Sequence, residues 1–122
     1  MRRRSYQAAE RHGRRAELLC ELALWLKGYR ILARHWRCPS GELDIVARRG
    51  RILAVIEVKA RADYQTAAEA VTPRQQARIA RAAMQFIATR PALAAIDQRF
   101  DVMIVLPWRW PRHLIGAWSA HS

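Results

Sequence analysis

The chain predicts an α/β domain of the α+β kind, with a mixed β-sheet flanked by helices. Three observations predict it. Helical periodicity occupies two separate stretches. Three short strand-like runs follow the first stretch, with only turns between them. Further strand-like runs follow the second, so a helical crossover joins two parts of one sheet.

The chain has 122 residues, enough for one modest core, and 52% of them are apolar, which excludes a disordered chain. The formal net charge of +12 favours a polyanionic partner and says nothing of fold. Arginine is the default cation, and only Lys27 and Lys59 are lysines. A lysine amid arginines suggests a need for a compact ammonium instead of a wide, permanently charged fork. Cys20 and Cys38 form no CxxC and no Cys/His pair of zinc spacing, which fits a reducing cytoplasm. No segment is apolar and long enough for a signal peptide core or a bilayer span, so neither a membrane nor secretion is expected.

Residues 1–12 read as a basic, flexible tail, and 13–122 as one domain. A helix is expected over Arg14–Lys27, stopped by Gly28. Leu18, Leu22, Trp25 and Leu26 form its inward stripe, widened by Leu19 and Ala23. Glu17 and Glu21 share another face, which by itself reads as solvated. YRILARHWR, from Tyr29 to Arg37, is a first strand, with Ile31, Ala33 and His35 on one side and Leu32 and Trp36 on the other. Pro39-Ser40-Gly41 breaks it.

The second strand, Glu42–Arg48, and the third, Arg51–Lys59, form a hairpin. The ILAVI run in the third has the pattern of a strand covered on both faces. An Arg49-Gly50 turn sets Asp44 opposite Val55, and a Gly50-Arg51 turn sets it opposite Glu57. Both registers put Glu42, Asp44, Glu57 and Lys59 on one side of the hairpin. Ala60–Val71 reads as a loop with a helical turn in TAAEAV. Thr72-Pro73 opens a second helix running to about Arg90, with Ala80, Ala83, Met84 and Ile87 inward and Arg74, Arg78 and Arg81 as a basic stripe. A strand over Arg99–Leu106, a WRWPRH loop and an edge strand over His113–Trp118 complete the sheet. Trp25 and Trp36 read as core. Trp108 and Trp110, interleaved with Arg109 and Arg112, fit terminal packing at least as well as base stacking.

Carboxylates inside apolar strands are costly to bury unless they are paired or bind a metal. An acidic strand followed by Glu-x-Lys suits metal-dependent phosphodiester hydrolysis. Asp44, Glu57 and the Val58 carbonyl would hold Mg²⁺ or Mn²⁺, and Lys59 would position water and offset transition-state charge. Glu42 competes with Asp44, which lies deeper in the apolar run. An isolated ExK favours a salt-bridged strand; here the preceding acidic strand, the hairpin parity and the apolar flanks strengthen the signal.

The chain resembles the YraN-like family of small bacterial proteins. The matching residues are GYRILARxWRC at 28–38, GELDIVA at 41–47, VIEVKAR at 55–61, AVTPRQQ at 70–76 and RFDV at 99–102. The resemblance implies a restriction-endonuclease-like, PD-(D/E)xK core related to archaeal-type Holliday junction resolvases, and an endonuclease activity. By position it implies Asp44 and Glu57 as metal ligands, Lys59 as the catalytic lysine, and Glu17 near the metal. It implies Gln76 near the site or the phosphate, and leaves the role of Asp101 open. The chain departs from the pattern at Ala16, Gln75 and Ala60. The expected partner is DNA, structured or branched forms included, with Arg61, Arg74, Arg78 and Arg81 as contacts. A homodimer is implied by the resolvase relatives, and no small-molecule substrate is expected. A nucleic-acid-binding module without turnover and an interaction protein in a nucleic-acid complex are the alternatives.

Overall fold

The computed structural model describes residues 2–65 and 71–120, with side chains from Gly13 onward. Helix α1 spans Arg2–Leu26, followed by strands β1 (Arg30–Cys38), β2 (Gly41–Arg49) and β3 (Ile52–Ala60). Helix α2 spans Pro73–Thr89, a 3₁₀ turn Pro91–Ala95, and strands β4 and β5 Asp97–Val105 and Arg112–Trp118. The sheet order is β1-β2-β3-β4-β5. Only β3 and β4 pair in parallel, across the crossover that carries α2; the other neighbours are antiparallel. This is the mixed, helix-flanked sheet the sequence predicts.

α1 begins twelve positions before the expected Arg14, because Arg, Gln, Ala and Glu are good helix formers and Gly13 alone does not stop them. It ends where expected. Gly28, at φ +88°, takes the left-handed conformation. The Gly28 amide donates to the Trp25 carbonyl and the Tyr29 amide to that of Leu24, both at 3.0 Å, which closes a Schellman motif.

The face α1 buries differs from the expected stripe. Ala16, Cys20, Ala23 and Leu24 lie against the sheet, with Tyr29, Ile45, Ala47, Ala54, Ile56 and Met103. Leu18, Leu22, Trp25 and Leu26 are exposed, Trp25 to 68%. Two apolar stripes share this helix, and the one with small residues allows the closer approach to the sheet. On the opposite face α2 buries Ile79, Ala82, Ala83 and Phe86 against Leu43, Val46, Leu53 and Val55. Ala83 faces inward as expected and Ala80 and Ile87 are partly buried, but Met84 is exposed because the helix is rotated toward Ile79 and Phe86. Trp36 packs edge-on to Phe86, 5.3 Å between ring centroids, so its core assignment stands where that of Trp25 fails.

Thr72 caps α2 as its sequence predicts, its Oγ1 accepting from the Gln75 amide at 3.2 Å, with Pro73 in the first turn. β3 carries Leu53, Ala54, Val55 and Ile56 buried on both faces, as a central strand requires. β1 breaks strict alternation. A register shift between Ile31 and Ala33 turns Ala33 to the α2 side with Leu32, away from Ile31. The helical turn expected in TAAEAV lies, but for Val71, outside the described residues.

Candidate active site

The β2–β3 turn sets the site. Arg49 pairs with Ile52, so the loop is Gly50-Arg51, with Gly50 at φ +60° in the first central position, where a type II′ turn takes glycine. This is the second of the two registers the sequence allows. Pairing runs to Ile45 opposite Ile56, and one step further brings Asp44 across from Glu57. There the side chain takes over from the ladder. Asp44 Oδ2 accepts from the Val58 amide at 2.9 Å, in place of a backbone carbonyl. The strands part at the point where the carboxylates meet. An N–H and C=O of one strand residue face the same neighbour, so the Val58 carbonyl is directed to the Asp44 side as well.

Asp44 and Glu57 lie close enough for the charge of Asp44 to act on the Glu57 carboxyl. Lys59 Nζ lies 3.5 Å from Glu57 Oε1, and both side chains are only 11% exposed. Burial raises the pKa of Glu57 and the charge of Asp44 raises it further, with Lys59 opposing. Burial likewise raises Asp44, against the Val58 amide and Lys59. Two half-buried carboxylates set against each other cannot both ionise at low cost, which favours protonation of one of them.

α1 and β1 frame the opening. Glu17 pairs with His35 Nε2, and His35 Nδ1 lies 3.0 Å from Glu42 Oε1. His35 has φ +47° in mid-strand, at the position between the Arg34–Ile45 and Trp36–Leu43 pairs, across from Asp44. Burial opposes its protonation, but the hydrogen bonds and charges of Glu42 and Glu17 outweigh this and raise its pKa. Glu17 is itself raised, by burial first, and the charge of Asp44 adds to the rise. Glu42 is thus occupied by His35 and by Arg37, at 3.7 Å, while its charge still helps to raise Asp44.

From α2 the residue that arrives is Gln75. Its Nε2 donates to Glu57 Oε1 at 3.2 Å, whereas Gln76 Nε2 donates to the Val71 carbonyl at 3.2 Å. The structure therefore brings Gln75, not Gln76, to the pair; the two differ by 100° around the helix, which only packing decides. Arg61, Arg74, Arg78 and Arg81 are all exposed, so none is spent on the core. His35 and Gln75 were missed by sequence reasoning. A histidine facing Asp44 across β1 and β2 was deducible once the β1–β2 register was known, and no local motif marks it.

Asp101 stands apart. It is fully buried, and accepts from Arg99 Nε and Nη2 at 2.9 and 2.8 Å and from the Gly116 amide at 2.9 Å, with His113 Nε2 2.7 Å away. Burial works to raise its pKa, but His113, Arg99 and Gly116 bring it down to about 2. Arg99 also reaches the Tyr29 hydroxyl, and Lys27 Nζ lies 3.2 Å from His113 Nδ1. This network ties β4 and β5 to the end of α1, and Asp101 serves as its structural anchor.

The donor set fits a hard divalent cation. Mg²⁺ typically takes one or two carboxylates and completes its shell with water and phosphate. Asp44 and Glu57, with the Val58 carbonyl, are that set, and a cation would offset the burial that raises both carboxyls and the Asp44 charge that raises Glu57 further. Among the described residues no group of three or more His, Cys, Asp or Glu side chains is placed to hold an ion, so the set is a pair of carboxylates and not a closed cage. Cys20 and Cys38 are free thiols, and burial pushes Cys20 up to about 12, which makes it inert at neutral pH. No described helix is long and apolar enough to cross a membrane.

Fold and site together define a small mixed α/β protein with a half-buried carboxylate pair and a lysine at the splayed end of a central hairpin. The chain belongs to the uncharacterised protein family UPF0102, whose model matches residues 16–105, and this is the YraN-like family its motifs resemble. It is 56% identical to a UPF0102 protein of Parvibaculum lavamentivorans over 111 residues, covering 91% of this chain and 84% of that protein. It is 50% identical over 119 residues to the UPF0102 protein amb4503 of Paramagnetospirillum magneticum, covering 94% and 92%. A further relative, UPF0102 protein bll0669 of Bradyrhizobium diazoefficiens, is 50% identical over 115 residues, covering 94% and 86%.

Proposed function

We propose that the chain is a divalent-cation-dependent endonuclease that hydrolyses phosphodiester bonds of DNA. The observation that carries this reading is the Asp44–Glu57 carboxyl pair with Lys59 3.5 Å from Glu57, held where β2 and β3 separate. Asp44 Oδ, Glu57 Oε and the Val58 carbonyl would hold Mg²⁺ or Mn²⁺, which supplies charge neutralisation at phosphate oxygens and acidifies a water. The chain's own residues do the rest. The Val58 amide and Gln75 fix the orientation of Asp44 and Glu57. The Lys59 ammonium positions the attacking water and offsets the charge that builds on the phosphorus oxygens. Glu17 and His35 close the α1 side of the opening.

Exposed Arg61, Arg74, Arg78 and Arg81 and the net charge of +12 support binding of a phosphate backbone. Those features alone equally support the second reading, a nucleic-acid-binding module without turnover. What favours hydrolysis is the half-buried carboxylate pair with both carboxyls raised, since a surface that only binds DNA gains nothing from two destabilised acids.

The test is cleavage of linear, flapped and four-way DNA with Mg²⁺ or Mn²⁺ by the wild type, Asp44→Ala and Lys59→Ala. Cleavage by the wild type lost in both variants supports the reading. Salt-sensitive binding without cleavage, or cleavage unchanged by either substitution, overturns it.

A further inference from the structure

A groove opens at the carboxyl ends of β3 and β4, on the α1 side of the sheet. Because β3 and β4 are parallel, their carboxyl ends meet at one edge, with Ala60 paired to Val105 and the Arg61 amide donating to the Val105 carbonyl at 3.2 Å. Beyond that edge the chain turns through Leu106–Pro107–Trp108, closed by the Arg109 amide on the Leu106 carbonyl at 3.3 Å. The turn and the middle of α1 enclose a groove of about 800 Å³. Leu19 and Leu106 contribute apolar lining, and Arg15, Arg61 and Arg109 line it too, with no carboxylate among the lining residues. Along the chain Arg61 follows Lys59 by two residues, and Arg15 precedes Glu17 by two.

Trp108 is 102% exposed and Trp110 55% exposed. Trp108 also sits at φ +60°, a left-handed conformation that disfavours a bulky side chain. Packing therefore does not explain Trp108. A strained turn that holds an indole entirely in water is a platform for something else to cover.

We propose that this groove binds an unpaired DNA strand next to the bond to be cut, with bases stacked on Trp108 and Trp110 and phosphates on Arg15, Arg61 and Arg109. The proposal deepens the nuclease reading by naming its substrate as DNA with a single-stranded segment, and for that placement it rests on that reading. Charge complementarity selects the occupant: three guanidinium groups around an aromatic surface match alternating phosphates and bases. A duplex stacks its bases internally and offers the indoles no face. An apolar peptide would leave the arginines unmatched.

The test is equilibrium binding in chelator, at one salt concentration, of an oligothymidylate and of a fully paired hairpin. The proteins are wild type, Trp108→Ala, Trp108→Phe and Trp110→Ala. Stacking on an aromatic predicts that Trp108→Ala weakens single-strand binding about 5-fold or more, while hairpin affinity stays within about 2-fold and Trp108→Phe restores most of the loss. Tryptophan fluorescence of the wild type is expected to quench with the oligothymidylate. Equal losses on both probes, or no loss on either, overturn the proposal. So does a change in sedimentation of Trp108→Ala with oligonucleotide affinity unchanged, which would make the groove a contact between copies. Because nothing is cut in chelator, the two readings fail separately. Tryptophan-dependent strand binding by a protein that never cuts upholds the groove and removes the nuclease. Cutting of flapped DNA with no tryptophan dependence does the reverse.

Discussion

Asp101→Asn tests whether the most buried acid among the described residues is structural. Asp101 is 0% exposed and meets Arg99, His113 and the Gly116 amide. Its pKa falls from an ordinary 3.8 to about 2, so the folded state favours the carboxylate by roughly 2 kcal/mol, at ~1.4 kcal/mol per unit. The amide keeps the shape and loses the charge, leaving Arg99, 19% exposed, without a counterion and His113, 1% exposed, without its carboxylate partner. Breaking a buried pair costs about 3–5 kcal/mol. The expected loss is therefore about 2–5 kcal/mol at pH 7, read by urea unfolding followed through tryptophan fluorescence. The sign with pH is fixed. A carboxyl depressed in the folded state stabilises above its unfolded pKa, and that contribution fades as pH falls from about 4 through about 2. The gap between wild type and variant should narrow over that window. A gap under about 1 kcal/mol at pH 7, or one that does not narrow on acidification, would refute the anchor role.

Glu57→Gln should behave in the opposite way. Glu57 is raised in the folded state, so without metal the wild type loses stability as pH climbs through the ordinary carboxylate range and beyond. The glutamine can still accept from Gln75, and Asp44 remains to face Lys59. In chelator at pH 8 it should match or exceed wild-type stability, and a loss of more than about 1 kcal/mol would contradict the strained pair. Calorimetric titration with Mn²⁺ should release about one proton from the pair, and both heat and proton release should vanish in Asp44→Ala. Trp25→Gln should change stability by less than about 0.5 kcal/mol, while Leu24→Ala should cost about 2–5 kcal/mol; equal costs in thermal unfolding would contradict the observed orientation of α1.

That Asp44 faces either Val55 or Glu57 was legible from residues alone because it rests on local quantities, and the Arg49–Ile52 pair chose Glu57. A strand repeats every two residues, and a two-residue turn at Gly50 leaves few registers. The Thr72-Pro73 start of α2 and the Gly28 stop of α1 were legible for the same reason: caps are satisfied within a few residues. The orientation of each helix was not local. α1 carries leucines on more than one side, and only its fit to the sheet chose Cys20 and Leu24 over Leu22 and Trp25. The same freedom put Gln75 and not Gln76 on Glu57.

What the sequence determined by itself was the order of elements, the central hairpin and the acidic pair it carries, all consequences of short-range periodicity and turn chemistry. What only the tertiary structure decided was which partners surround that pair. His35 came from β1 through a register shift, Gln75 from the rotation of α2, and Asp101 became an anchor once β5 delivered His113. Trp108 too was ambiguous until the turn after β4 left it in water. These outcomes depend on how distant surfaces fit together, and burial and packing settle that only when the whole chain has closed on itself.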